Sequence, residues 1–189
     1  AADTNLVTNP NLQDVNKGWV QKLREGKAAN VISEVAAGSN KIQVGAAVTA
    51  ANGYKNLDAL VFDIKRGLDP WHRNRTDLVA ICGADLLDDK YFTIVNGANV
   101  ASEMVASDIL MSTRRLGGLQ AALVPHFPAN AIFVTPLANL SIYYQRSARR
   151  RMLIDNPKRD RLENYESSND AYVVEDFGAA VYAENIELV

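Results

Sequence analysis

An α+β fold is predicted, and three observations carry it. Helical and extended stretches intermingle without the strict alternation of a doubly wound sheet. The apolar period switches from helical to extended after Gly117-Gly118. Across 189 residues, 48% are hydrophobic and 22% charged, enough for one domain with a real core or two small ones sharing an interface.

The elements follow in order. After Asn9-Pro10, the residues Leu12, Val15, Trp19, Val20 and Leu23 recur at helical spacing, with Gly18 a weak point inside the helix and Gly26 its stop. Val31 to Val35 and Lys41 to Val44 read as short strands around Gly38-Ser39-Asn40, and Ala46 to Gly53 as a small-residue linker. Asn56 caps the clearest helix, whose face is Leu57, Leu60, Val61, Ile64 and Leu68 and whose end is Gly67 with Asp69-Pro70. Leu78 to Cys82 is an apolar run suited to a strand buried on both faces. Helices follow over Ala84 to Val95, stopped by Asn96-Gly97, and over Glu103 to Met111. Strands then occupy Ala121 to Val124, Ala131 to Thr135, Leu140 to Gln145, Ala171 to Val174 and Ala179 to Val189, the last with Val181 and Ala183 inward and Tyr182 and Glu184 outward.

Several chemistries find no footing. No apolar run approaches the roughly 18 to 20 residues of a membrane span, so a soluble globular protein is expected. The start, Ala1-Ala2-Asp3, does not read as a signal peptide, and the chain is expected to begin partway through a longer polypeptide. The lone Cys82 permits no intrachain disulfide and no cysteine zinc site, fits a reducing compartment, and reads as an inert core thiol. No phosphate-binding glycine loop is present, and no cofactor or metal is expected. A nucleophile would need His72 or His126 as its base. His126, in Pro125-His126-Phe127-Pro128, is the candidate base of a small α+β hydrolase, though no partner motif accompanies it. Asp88-Asp89 reads as a solvated helix face.

Charge is the feature that stands out. The net charge is −2, and residues 1 to 145 hold thirteen charges of each sign. Between positions 146 and 161 lie Arg146, Arg149, Arg150, Arg151, Lys158, Arg159 and Arg161 against only Asp155 and Asp160. From 162 onward there are seven acids, Glu163, Glu166, Glu175 and Asp176 among them, and no Lys or Arg. Three readings stay open: a surface that neutralises itself within one subunit, a nucleic-acid site lacking interleaved aromatics, or complementarity between neighbouring subunits. Arginine dominates the run, which suits planar bidentate pairing with carboxylates.

A resemblance joins these observations. Leu57-Asp58-Ala59-Leu60-Val61, Asp89-Lys90-Tyr91-Phe92-Thr93, Val124-Pro125-His126-Phe127-Pro128-Ala129, Leu140-Ser141-Ile142-Tyr143-Tyr144, Asn156-Pro157-Lys158 and Glu163-Asn164-Tyr165-Glu166-Ser167, in this order, resemble the major capsid proteins of P2-like tailed bacteriophages. The resemblance implies an HK97-type capsid fold with mixed sheets and flanking helices, an axial domain and part of a peripheral domain. It implies a non-enzymatic structural subunit that forms pentamers and hexamers around double-stranded DNA, with scaffolding and portal partners, synthesised in the bacterial host cytoplasm. Residues 1-55 are then expected to belong to the peripheral domain, 56-145 to the axial domain, and 146-189 to a basic loop and strands returning to the periphery. Arg146, Arg149, Arg150, Arg151, Arg159 and Arg161 become candidates for a subunit boundary, with Glu163, Glu166, Glu175 and Asp176 as candidate partners. The family's N-terminal arm, extended loop and spine helix have no counterpart before Asn9.

Overall fold

The computed structural model describes residues 16–35, 38–48, 53–97 and 114–189. Its organising element is a six-stranded mixed sheet in the order β1 (Val31–Ile32), β12 (Val181–Ala183), β7 (Ile132–Pro136), β4 (Leu78–Cys82), β6 (Leu119–Leu123), β5 (Arg115–Leu116). β4 runs antiparallel to β7 and parallel to β6, so its backbone is satisfied on both sides and its apolar run is buried, as expected. Gly117 and Gly118, at φ +56° and +81°, close the two-residue turn between β5 and β6, where two positive φ values favour glycine and a Cβ at position 117 would fall 2.7 Å from Val61.

Alternation along these strands splits the core into two layers. Leu78, Ala80, Cys82, Ile132, Val134, Val181 and Ala183 point to one face, where α2 (Leu57–Ile64) brings Leu57, Leu60, Val61 and Ile64 and α3 (Ala84–Gly97) brings Leu86, Leu87 and Tyr91. Ile81, Phe133 and Tyr182 point to the other, under Val20 and Leu23 of α1 (Trp19–Gly26). A three-stranded parallel sheet, β13 (Ile186–Leu188), β2 (Ile42–Val44) and β3 (Gly53–Tyr54), adds Ile42, Val44 and Ile186 to the first layer. The pair β8 (Leu140–Tyr144) and β11 (Asp170–Val174) adds Leu140 and Val174 to the second. Asn56 caps α2 by accepting a bond from the Ala59 N–H, as its sequence predicts.

Several expectations are corrected. The first helix does not run through Gly18: residues 16–18 are non-helical, Gly18 sits extended at the cap, and α1 starts at Trp19. The expected portion before Asn16 lies outside the described residues, as does the helix expected over Glu103 to Met111. α3 continues through Asn96 to Gly97. The long last strand is two, because Asn185 at φ +58° turns the chain from the six-stranded sheet into the three-stranded one. Tyr182 does not face solvent. The sheet is covered on both sides, so the ring is 1% exposed, edge-on to Phe133 and Phe127 with the Arg24 guanidinium 5.5 Å above it.

The largest correction concerns the arginine run, which is only partly a loop: Arg146 and Arg149 precede a strand and Lys158 and Arg159 sit in a turn, but Arg150, Arg151 and Arg161 lie in strands. β9 (Arg150–Asn156) and β10 (Arg161–Ser167) form an antiparallel hairpin, with Arg150 opposite Ser167 and Asn156 opposite Arg161. Pro157 presets the turn, and Asp160 takes the positive φ, +46°, that closes it.

Candidate functional site

Direct opposition across the hairpin fixes what each face carries. Arg150, Met152, Ile154, Glu163 and Tyr165 share one face; Arg151, Leu153, Asp155, Leu162 and Glu166 share the other. Neither strand contributes a residue to either core layer. From Leu140 to Val173 no residue is buried, and Met152 and Leu162 are 61% and 68% exposed. An isolated two-stranded ribbon is marginal in water, and this one presents aliphatic side chains on both faces. Among the described residues nothing buries it.

The candidate residues divide by partner. Arg151 pairs with Glu166 at 3.1 Å, and its Nε donates to Asn164 at 3.3 Å. Arg161 pairs with Glu163 at 2.6 Å, and Glu163 also accepts from the Tyr165 hydroxyl and the Asn156 amide. The Tyr165 hydroxyl first, then Arg161 and Asn156, holds the Glu163 carboxyl below its ordinary value, and Glu163 in turn raises Tyr165. These are solvent-facing contacts that set the ribbon's geometry more than its stability. The side chains of Arg146, Arg149, Arg150, Lys158 and Arg159 have no hydrogen bond or ion pair among the described residues. Arg149, Arg150 and Arg151 line a cleft of about 350 Å³ at the base of the hairpin with Glu166, Ser167 and Ser168.

Glu175 and Asp176 lie away from the hairpin, where the chain leaves β11. Glu175 accepts from the Tyr143 hydroxyl at 3.0 Å. Asp176 accepts from the Gly178 N–H at 2.7 Å and lies 2.9 Å from Nε2 of His72, whose side chain is only 12% exposed. Those two contacts, the Gly178 amide first, lower the Asp176 carboxyl below its ordinary value. Asn139 completes the fastening by donating to the Asp176 carbonyl and accepting from its N–H. Sequence reasoning missed this polar clasp; the only signal was the Asp176-Phe177-Gly178 spacing typical of a side-chain-capped turn.

The hydrolase candidate finds no support. His126 sits exposed in a turn at φ +61°, and its ring has no hydrogen-bond partner among the described residues. Cys82 is buried in β4, and burial pushes its thiol up to about 11, which keeps it protonated and inert. Asp88 and Asp89 are both exposed on α3, in keeping with a solvated face. No group of three or more metal-ligating side chains occurs among the described residues.

Known proteins place this arrangement. The family model described as phage major capsid protein, P2 family, matches residues 1–186. The chain is 47% identical over 194 residues to the capsid proteins of Escherichia phage P2, covering all of this chain and 53% of that protein. It is 37% identical to the major capsid protein of Serratia phage KSP20, covering 98% of this chain and 54% of that one. Among solved structures, it is similar to a chain of the satellite phage P4 procapsid that includes the size determination (Sid) protein, with 43% identity and a TM-score of 0.83 over all of this chain and 56% of that one. Similarity to the capsid of a native GTA particle, at 18% identity and a TM-score of 0.50 over 96% of this chain and 59% of that one, bears on the fold alone. The chain spans about half the length of the curated relatives it matches. Its α+β architecture is the HK97-like capsid fold that the sequence resemblance implied. With the family model spanning nearly every residue, the chain belongs to the P2 family of phage major capsid proteins.

Proposed function

We propose that this chain is the shell-forming part of an icosahedral phage or prophage capsid subunit, and that its work is contact with copies of itself rather than catalysis. One observation carries the reading: an arginine-rich, aliphatic ribbon stands outside both core layers, and nothing among the described residues covers it. In this reading subunits close into pentamers and hexamers, and Arg146, Arg149, Arg150, Arg151, Arg159 and Arg161 lie at the boundary between them. Glu163 and Glu166 shape the ribbon there, and Glu175 and Asp176 fasten the turn that follows β11. Residues 56-145 supply the axial unit, with 1-55 and 146-189 joining it to the periphery. The finished protein resides in the virion after synthesis in the host cytoplasm, and the shell encloses double-stranded DNA. The relative solved with a size determination protein supports a scaffolding partner, and a portal completes such a shell.

Changing Arg149, Arg150 and Arg151 together to Glu, in the protein at its natural length, tests this. Particle yield measured by light scattering and electron microscopy falls about tenfold or more, because reversed charge at a buried boundary costs several kcal/mol per contact. Full yield across a salt series contradicts the boundary assignment, and unmodified protein that never forms closed particles contradicts the shell reading itself.

A further inference from the structure

Most carboxylates of the described residues are already engaged inside the chain. Glu163, Glu166, Glu175 and Asp176 have the partners given above, Glu184 is paired with Arg24, and Glu187 with Lys41. Those with neither hydrogen bond nor ion pair among the described residues are Asp85, Asp88, Asp155 and Asp160. Asp155 and Asp160 belong to the hairpin itself. Asp85 and Asp88 stand on the outward side of α3, and Phe92, 68% exposed, follows one turn later. Spacings of three and seven residues place all three on one helical stripe.

That stripe matches the hairpin in charge and in repeat. On the ribbon, Arg150 and Met152 are two residues apart on one face, roughly 6.6 Å along a strand. On α3, Asp88 and Phe92 are four residues apart, about 6 Å along a helix. An arginine followed by an aliphatic side chain therefore meets a carboxylate followed by an aromatic ring at nearly equal spacing. Tyr165, directly opposite Met152, widens the apolar half of the contact.

We propose that the β9–β10 hairpin of one subunit docks on the Asp85–Asp88–Phe92 stripe of a neighbouring copy, Arg150 against Asp88 and Met152 with Tyr165 against Phe92. This rests on the shell-subunit reading. The two surfaces differ and lie on separate elements, so the contact is head-to-tail, the kind that closes into a ring. Charge sets the register of such a contact, and the covered apolar side chains hold it.

Charge exchange at natural length tests the pairing. Arg150→Asp and Asp88→Arg each lower the yield of closed particles about tenfold, and the double variant restores it to within about threefold of the unmodified protein. Both substituted positions are exposed, so circular dichroism of the unassembled subunits stays unchanged. Arg150→Cys combined with Asp88→Cys, treated with a short bis-maleimide, gives a ladder of linked subunits on a denaturing gel, whereas either cysteine alone gives monomer; Cys82 is buried and does not compete. A double charge variant no better than the singles, an Asp88→Arg variant with full yield, or the absence of a ladder overturns the pairing. So does an Arg150→Asp variant that assembles fully and loses only packaged DNA, which assigns the arginines to phosphate instead. Failure of the unmodified protein to form particles would instead remove the shell reading beneath it.

Discussion

The six-stranded sheet and the β9–β10 hairpin are both built from alternating strands, yet they solve opposite problems. In the sheet, alternation feeds two buried layers: Phe133 and Tyr182 go to one, Ile132, Val134 and Val181 to the other. In the hairpin, the same alternation sends Met152 and Tyr165 one way and Leu153 and Leu162 the other, into solvent on both sides. The sheet completes its burial within the chain. The hairpin finds no such burial among the described residues, and the proposal is that a second copy supplies it. Sequence alternation alone thus tells which residues share a face, and only the neighbouring elements decide whether that face is a core or an interface.

The contrast can be broken most forcefully in the sheet. Phe133→Ala removes a fully enclosed ring between β4 and β12 and destabilises the unassembled subunit by about 3–5 kcal/mol, read as a shifted urea midpoint. A loss under about 1 kcal/mol places the core elsewhere.

A smaller effect comes from the clasp joining the second strand pair to the sheet. The folded Asp176 carboxyl sits below its unfolded value, so its contribution is present above the ordinary carboxylate range, about 3.9, and disappears as pH falls through the lower folded value. Urea midpoints of the unmodified subunit therefore decline on acidification below about pH 4, and Asp176→Asn flattens that limb while leaving the neutral-pH midpoint only slightly lower. Parallel acid limbs in the two proteins remove Asp176 from the account.

The smallest expected effect lies in the ribbon. Leu162→Ala changes the stability of the unassembled subunit by no more than about 0.5 kcal/mol, because the side chain is exposed there, yet it lowers particle yield. Destabilisation on the scale of Phe133→Ala would mean the hairpin already packs on its own chain.

The same contrast explains what the sequence made legible. Leu78 to Cys82, the Asn56-capped helix and Gly117-Gly118 were readable because each carries a local cause: an unbroken apolar run, a cap with a helical stripe, and a glycine pair. Tyr182 was misplaced because its outward face is covered by α1, an element distant in sequence. The hairpin was hidden by composition, since arginines and glutamates mask the strand pattern of Met152 to Ile154 and Leu162 to Tyr165. The Asn156-Pro157 turn between those runs was the available signal. Charge asymmetry singled out residues 146 to 189, but Glu163, Glu166 and Asp176 within them are engaged in ribbon and clasp geometry, which a count of charges cannot reveal.

Amide hydrogen exchange, followed in free subunits and in closed particles of the natural-length protein, probes the unfinished ribbon most directly. In free subunits, amides of residues 150–167 should exchange fast while those of β4 and β7 exchange slowly; on assembly the ribbon should become protected and the sheet should scarcely change. Ribbon amides that exchange at the same rate in both states would contradict the claim that other copies complete this surface.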